Sequence, residues 1–436
     1  MKLTTIGLIA LAAHIFVGTG YAQSTDDTSS SNVTISNALE QRVIEWRRDI
    51  HQHPELSNRE FRTAGVVADH LRALGLEVTT EIAHTGVVGI LRGGRPGPTI
   101  ALRADMDALP VQEMTDVPFA STATGEYRGR EVPVMHACGH DLHVAMLMGA
   151  AEYLAGVQEQ LAGNVMFIFQ PAEEGAPEGE EGGAELMLKE GLFDIAKPEA
   201  VLGIHVWSAG TTGHIGYRKG PLMASSDRFE IRVRGEQTHG SRPWGGVDPI
   251  VVASQIINNV QTIVSRQVDI TKAPAVVSFG IVEGGVRNNI IPDEVYLEGT
   301  IRNFDMGIRS QIFEKLTTTA EMTAAASGAK AEVTIHEGYP VTVNDPELVA
   351  RMMPTTERVV GRDKVYEADL VTGAEDFSFY AMEVPGMFVF LGITPPNQEP
   401  STAPSNHSPY FYADEAALRV GTELFINWAL DYPATH

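Results

Sequence analysis

Between residues 39 and 74 apolar side chains recur every three to four positions. Val43, Trp46 and Ile50 share one face, and Val66, Val67 and Leu71 follow after the His53-Pro54 break. That period predicts amphipathic helices. Short apolar runs come next, at 86–91, 99–103, 165–169 and 201–205, each of strand length, with a helical stretch at 144–154 among them. Strands alternating with helices predict an α/β fold, a three-layer α/β/α sandwich around a largely parallel sheet. In such sheets ligands gather beyond the carboxyl ends of the strands.

The pattern changes near Pro221. Residues 228–233 alternate apolar and polar like a half-exposed strand, and 248–265 repeats Ile250, Val252, Ile256, Ile257 and Val260 at helical spacing. Strands at 276–282 and 295–302, a helix at 311–325 and a strand at 331–336 complete a β-α-β-β-α-β order, the ferredoxin-like signature. After it, 365–380 and 387–391 return to the α/β pattern and 413–430 closes with a helix. The expected division is a catalytic domain built from two stretches of chain, 37–221 and 335–436, with an inserted α+β domain over 222–334. We find no internal repeat. The acidic, glycine-rich stretch 173–183 reads as a solvated loop.

The first residues form a separate segment. Lys2 precedes an apolar run from Ile6 to Val17, and Gly20-Tyr21-Ala22 offers a small-x-small cleavage site. The run is shorter than the roughly 20 residues that span a bilayer, so 1–22 reads as a signal peptide and the mature chain as exported, periplasmic or secreted. Residues 23–36 read as a flexible lead-in. A chain of 436 residues exceeds one typical domain, and its 43% hydrophobic content can bury a large core. The net charge of −24 excludes a nucleic-acid partner, which needs a clustered basic surface, and disfavours anionic membranes once the signal is cleaved. One cysteine, Cys138, excludes an internal disulfide.

Its neighbours explain that cysteine. In His136-Ala137-Cys138-Gly139-His140-Asp141-Leu142-His143, a thiol, three imidazoles and a carboxylate crowd into eight residues, all candidate transition-metal ligands. The plainer alternative is a helix start with incidental histidines. Gln170-Pro171-Ala172-Glu173-Glu174-Gly175 puts adjacent carboxylates at a strand's end: one can bind metal while the other takes a proton from water that the metal acidifies. Two solvated carboxylates are the bland reading of that pair. His205 ends another apolar run, His407 sits in a Pro- and Ser-rich loop, and Ala104-Asp105-Met106-Asp107 adds carboxylates that can orient a ligand imidazole.

Taken in order, these pieces resemble the metallopeptidase family of carboxypeptidase G, aminoacylase and succinyl-diaminopimelate desuccinylase. Its hippurate hydrolase and plant auxin–amino acid conjugate hydrolase branch is the nearest. The resemblance runs from Val43 to Leu430 and rests on Arg47–Leu56, Leu102–Pro110, the Cys138/His140 segment, Gln170–Gly175 and Gly373–Phe377. It implies that Cys138, His140, Glu174, His205 and His407 hold two divalent ions (Mn, Zn or Ni), with Cys138 bridging. It implies Glu173 as general base and Asp107 as the carboxylate steering a ligand or catalytic residue. In Gly235–Ser241 it implies that His239 meets the substrate carbonyl, and it places Asn289 near the substrate and dimer seam. Gly240 and Ser241 stand where many relatives have two alanines.

The expected function is hydrolysis of the amide bond of N-acyl amino acids, the inserted domain acting as lid and dimerisation module in a homodimer or homotetramer. The alternatives are a metal-dependent dipeptidase or carboxypeptidase and a non-catalytic periplasmic metal- or ligand-binding protein. A cysteine hydrolase with Cys138 as nucleophile and His140 or His136 as base is the remaining rival, and it leaves Glu173 and Glu174 without a task.

Overall fold

A computed structural model describes residues 32–435; the expected signal segment 1–22 and most of the lead-in lie outside them. Of that lead-in, 32–36 is docked rather than loose. The Asn427 side chain takes both the N–H and the carbonyl of Val33, and Ile35 is buried.

Helices α1 (Asn37–Gln52) and α2 (Phe61–Ala73) follow, divided where His53-Pro54 breaks the period. Strands β1 (Glu77–Ile82), β2 (Gly86–Arg92) and β3 (Arg95–Asp105) lead to helix α3 (His140–Gly156). Then come β4 (Ala162–Gln170), β5 (Ala200–Thr211) and β6 (Ile215–Tyr217). The chain next builds a second sheet from β7 (Asp227–Arg234), β8 (Ala275–Gly284), β9 (Glu294–Asn303) and β10 (Lys330–His336), with helices α4 (Pro249–Thr262) and α5 (Met306–Ala326). It returns through α6 (Pro346–Val360), β11 (Val365–Glu367), β12 (Gly386–Thr394) and α7 (Ala416–Asp431).

The large sheet runs β1-β2-β4-β3-β5-β12-β6-β11. Its central strands β4, β3, β5 and β12 are parallel. The expectation of a largely parallel sheet holds there and fails at the flanks, so the sheet is mixed. β1 and β2 are joined by a turn too short for a crossover, and β6 lies antiparallel on β12. Both faces are covered. Val165, Phe167 and Phe169 of β4 enter one core and Met166 and Ile168 the other, the period-two split that makes a central strand read as a continuous apolar run. Helix α3 is buried around its whole circumference, so its first turn, His140–His143, carries polar side chains into the interior.

The second sheet, ordered β8-β9-β7-β10, is antiparallel throughout. One face only is covered: Phe229, Ile231 and Val233 pack with Val252, Ile256 and Val260 of α4 and Ile308, Ile312 and Leu316 of α5. The opposite face carries Arg228, Glu230 and Arg232, as the alternation predicts. Helix α5 starts five residues before the expected 311 because the Asp305 carboxylate caps it, accepting from the Ile308 N–H.

Candidate metal centre

Four loops converge beyond the central strands. Gly139 makes the first. Its φ of +94° turns the chain sharply between Cys138 and the first residue of α3. A Cβ there would collide with Val206, so glycine is required. The loops after β3 and β4 bring Asp105, Asp107, Glu173 and Glu174. His205 lies within β5, which runs on to Thr211 instead of stopping at the histidine as the sequence suggests. His407 comes from the loop before α7, its N–H bound to the Ala137 carbonyl at 2.8 Å.

All five expected ligands meet. Cys138 Sγ lies 3.4 Å from His205 Nε2 and 3.2 Å from His407 Nε2, and His407 Nε2 is 3.0 Å from Glu174 Oε1. His140 Nε2 sits 3.9 Å from Glu173 and 4.0 Å from Glu174. Two triads share the sulfur, Cys138–His140–His205 and Cys138–Glu174–His407, with the donor atoms of each within 4.8 Å of one another. Tetrahedral metal–sulfur and metal–nitrogen bonds of about 2.3 and 2.0 Å would set such donors roughly 3.5 Å apart.

The ring nitrogens are already sorted for that role. His205 Nδ1 donates to the Val206 carbonyl, leaving Nε2 bare towards the sulfur. His140 Nδ1 faces Asp107 at 3.2 Å, and His140 Nε2 is buried without a hydrogen-bond partner. Buried orphans of this kind are rare unless an ion completes them. His143 differs: its Nε2 accepts from the Val206 N–H, so Nδ1 donates to Asp105 and the ring orients β5 beside His205.

Electrostatics asks for cations here. Burial pushes the Cys138 thiol up, and Glu174 and Glu173 push it further. Burial, then Glu375 and Glu174, hold the Glu173 carboxyl well above the usual range. For His140, burial alone would lower the pKa, yet Asp105, Asp107 and Glu174 outweigh it and raise it to about 10. Arg103, fully buried, is the protein's own counter-charge, bonded to Gln170, Asp105, Glu375 and Asp376 at 2.6–2.9 Å.

Asp107 is the organiser of the loop after β4. Its two oxygens accept from the Glu173 and Glu174 N–H groups at 3.1 and 3.0 Å and from Ser57 at 2.8 Å, besides facing His140. Sequence reasoning missed Arg103 and its Glu375 and Asp376 partners. A lone charge inside the apolar run of β3 was the available signal. His239 and Asn289 lie elsewhere, exposed beside a two-stranded ladder of the inserted chain that is separate from the second sheet. His239 pairs with Ile290, and the Gly240 N–H bonds the Asn289 carbonyl at 2.8 Å. Among the described residues neither makes a hydrogen bond or ion pair to the five-residue cluster. The Ser241 N–H donates to His239 Nδ1 at 3.0 Å, so the neutral ring carries its proton on Nε2.

A set of sulfur, nitrogen and carboxylate donors at the carboxyl ends of such a sheet, buried except for His407 at its rim and the half-buried Glu174, with an extra glutamate beside them, defines a metal-dependent hydrolase. The chain belongs to Peptidase family M20/M25/M40, whose pattern matches residues 101–431. It is 42% identical over 385 residues to thermostable carboxypeptidase 2 of Saccharolobus solfataricus, covering 88% of this chain and 93% of that one. It is 37% identical over 388 residues to N-acetyl-L-cysteine deacetylase of Bacillus subtilis, covering 89% and 87%. A dinuclear metal binding peptidase of the M20 family from Bacillus subtilis superimposes with a TM-score of 0.76 at 35% identity, over 92% of this chain and all of that one.

Proposed function

We propose that this protein hydrolyses the amide bond of N-acyl amino acids, with Cys138, His140, Glu174, His205 and His407 holding two divalent ions and Glu173 as general base. The observation that carries the reading is the pair of donor triads sharing Cys138, with Glu173 at their edge. The ions, when bound, supply Lewis acidity to the carbonyl and lower the pKa of water. Glu173, buried beside the two triads, accepts the proton of the attacking water and passes it to the leaving nitrogen. Asp107 holds the Glu173 N–H and the His140 ring in register. On closure of the second sheet over the cleft, the His239 Nε2–H donates to the developing oxyanion.

The substrate class draws on the deacetylase relative. The carboxypeptidase relative supports a second reading, cleavage of a carboxy-terminal residue from a peptide at the same site. Export follows from the amino-terminal segment. Self-association through the inserted chain is supported by its exposed apolar side chains, among them Ile281 and Val282 on β8 and Ile250 and Val251 on α4. A panel of N-acetyl and N-benzoyl amino acids against dipeptides separates the two substrate readings by kcat/KM. Glu173→Ala is expected to lower kcat about 10²–10⁴-fold with both metals retained. Full activity in that metal-loaded variant would end the base assignment. Chelation is expected to abolish turnover and added metal to restore it; activity that survives chelation would return Cys138 to the role of nucleophile.

A further inference from the structure

The chain crosses between the two sheets twice, at 224–226 and at 337–341, and the two crossings are fastened together. The Ser226 N–H donates to the Tyr339 carbonyl at 2.9 Å. A Cβ on Gly338 would strike the Ser226 carbonyl, so only glycine allows this approach. The second sheet grips the same point. Asp227, at the start of β7, is buried and accepts from the Arg309 guanidinium of α5, and its Oδ1 also accepts from the Gly338 N–H at 3.1 Å. Arg309 in turn donates to the Gly338 carbonyl at 3.3 Å. One residue further, the Tyr339 hydroxyl donates at 2.7 Å to the backbone carbonyl of Glu173.

That last contact completes the hold on the two peptides that flank Glu173. Glu173 gives its N–H to Asp107 and its carbonyl to Tyr339. The residue before it, Ala172, sits at φ +52°, a conformation that a non-glycine residue keeps only under outside constraint. Its N–H is bound by Glu60 at 2.9 Å. Two of the three restraints come from within the cleft. The third arrives from the crossing that the Asp227–Arg309 clamp sets.

We propose that Tyr339 is a positioning residue for Glu173, through which the setting of the second sheet is transmitted to the base. The proposal rests on Glu173 acting as base. When the crossing rotates with the second sheet, the hydroxyl moves with it and the Glu173 peptide tilts. The carboxylate therefore reaches its working place only in one setting of the two sheets.

Tyr339→Phe keeps the ring, which packs edge-on against Phe379 at 6.1 Å, and removes only the hydroxyl. Expected are a kcat lowered about 10–100-fold, the loss typical when a side chain supporting a metal-site group is removed, and a KM within about twofold of wild type. Metal stoichiometry should stay unchanged, and Tm should fall by no more than the few degrees that one lost hydrogen bond is worth. Arg309→Lys, which loosens the clamp without touching the cleft, is expected to give the same kcat-only pattern at about 3–10-fold. In the double variant the losses should not multiply, because both act through one hydrogen bond. Wild-type kcat in Tyr339→Phe, or an equal rise in KM, would overturn the positioning role. Losses that multiply would overturn transmission from the second sheet. If wild type itself turned over no amide, the functional reading would have failed instead.

Discussion

The floor of the cleft and the inserted chain hold their histidines in opposite ways, with His407, exposed at the cleft's rim, between them. On that floor His140, His143 and His205 are buried; His140 and His205 each have one ring nitrogen committed, to Asp107 and the Val206 carbonyl, and His143 has both, to Asp105 and the Val206 N–H. In the small ladder of the inserted chain His239 is exposed, and among the described residues its ring is hydrogen-bonded only to Ser241, two residues on. Ligands for an ion must stand within tenths of an ångström before it arrives, and a packed interior with supporting hydrogen bonds supplies that. A group that meets substrate after closure needs its tautomer fixed but its position free.

The largest expected effect comes from breaking the cleft's rigidity at its root. Helix α3 is pinned by its second residue, Asp141, which accepts from Arg47 at 2.8 Å and faces His51 at 2.9 Å, all three buried. Burial opposes ionisation of Asp141, yet Arg47 and His51 hold its carboxyl far below the usual range. Burial likewise opposes charge on His51, and Asp141 and Glu113 raise its pKa in spite of it. Arg47→Met is expected to cost about 3–5 kcal/mol of stability, since it leaves a buried carboxylate with one partner.

The sign of the pH dependence follows. A raised histidine contributes stability fully below its unfolded value of about 6.5 and loses it as pH rises through the folded value. A depressed aspartate contributes above about 3.9 and loses it on acidification. The deficit of Arg47→Met should therefore be smallest near pH 5, where His51 is still charged, and grow towards pH 8. Denaturant melts at both pH values check this; a deficit independent of pH would remove His51 from the network.

The same contrast governs what is legible in the sequence. Cys138, Gly139, His140 and the Glu173-Glu174 pair stand out because several ligand types crowd a few positions at strand ends. His205 and His407 are single histidines, one inside a strand and one in a loop, and only the family resemblance draws them in. Arg103 and Tyr339 act through partners 272 and 166 residues away in sequence, and no local pattern encodes such pairs. The first turn of α3 is hidden, since polar side chains inside a helix that is buried all round imitate a loop. The true start of α5 does have a local signal in Asp305, a capping residue three before Ile308, which the apolar period alone passes over.

At His239 the expected losses are smaller and purely kinetic. His239→Ala should lower kcat about 10²–10³-fold, the usual effect of removing one oxyanion donor, with metal content and Tm unchanged. An unchanged kcat would leave the cleft sufficient alone and remove the lid from the chemistry.

Ser241→Ala sharpens the contrast further, because it tests how little holds His239. The Ser241 hydroxyl lies 2.8 Å from Nδ1, but the backbone N–H of the same residue already donates there at 3.0 Å, and a backbone N–H can only donate. The tautomer with its proton on Nε2 is thus fixed without the hydroxyl. The substitution should change kcat by less than about threefold, below the roughly 1 kcal/mol of an ordinary hydrogen bond. A drop as deep as that of His239→Ala would mean that the hydroxyl orients the ring, and that the lid histidine is as tightly held as those in the cleft.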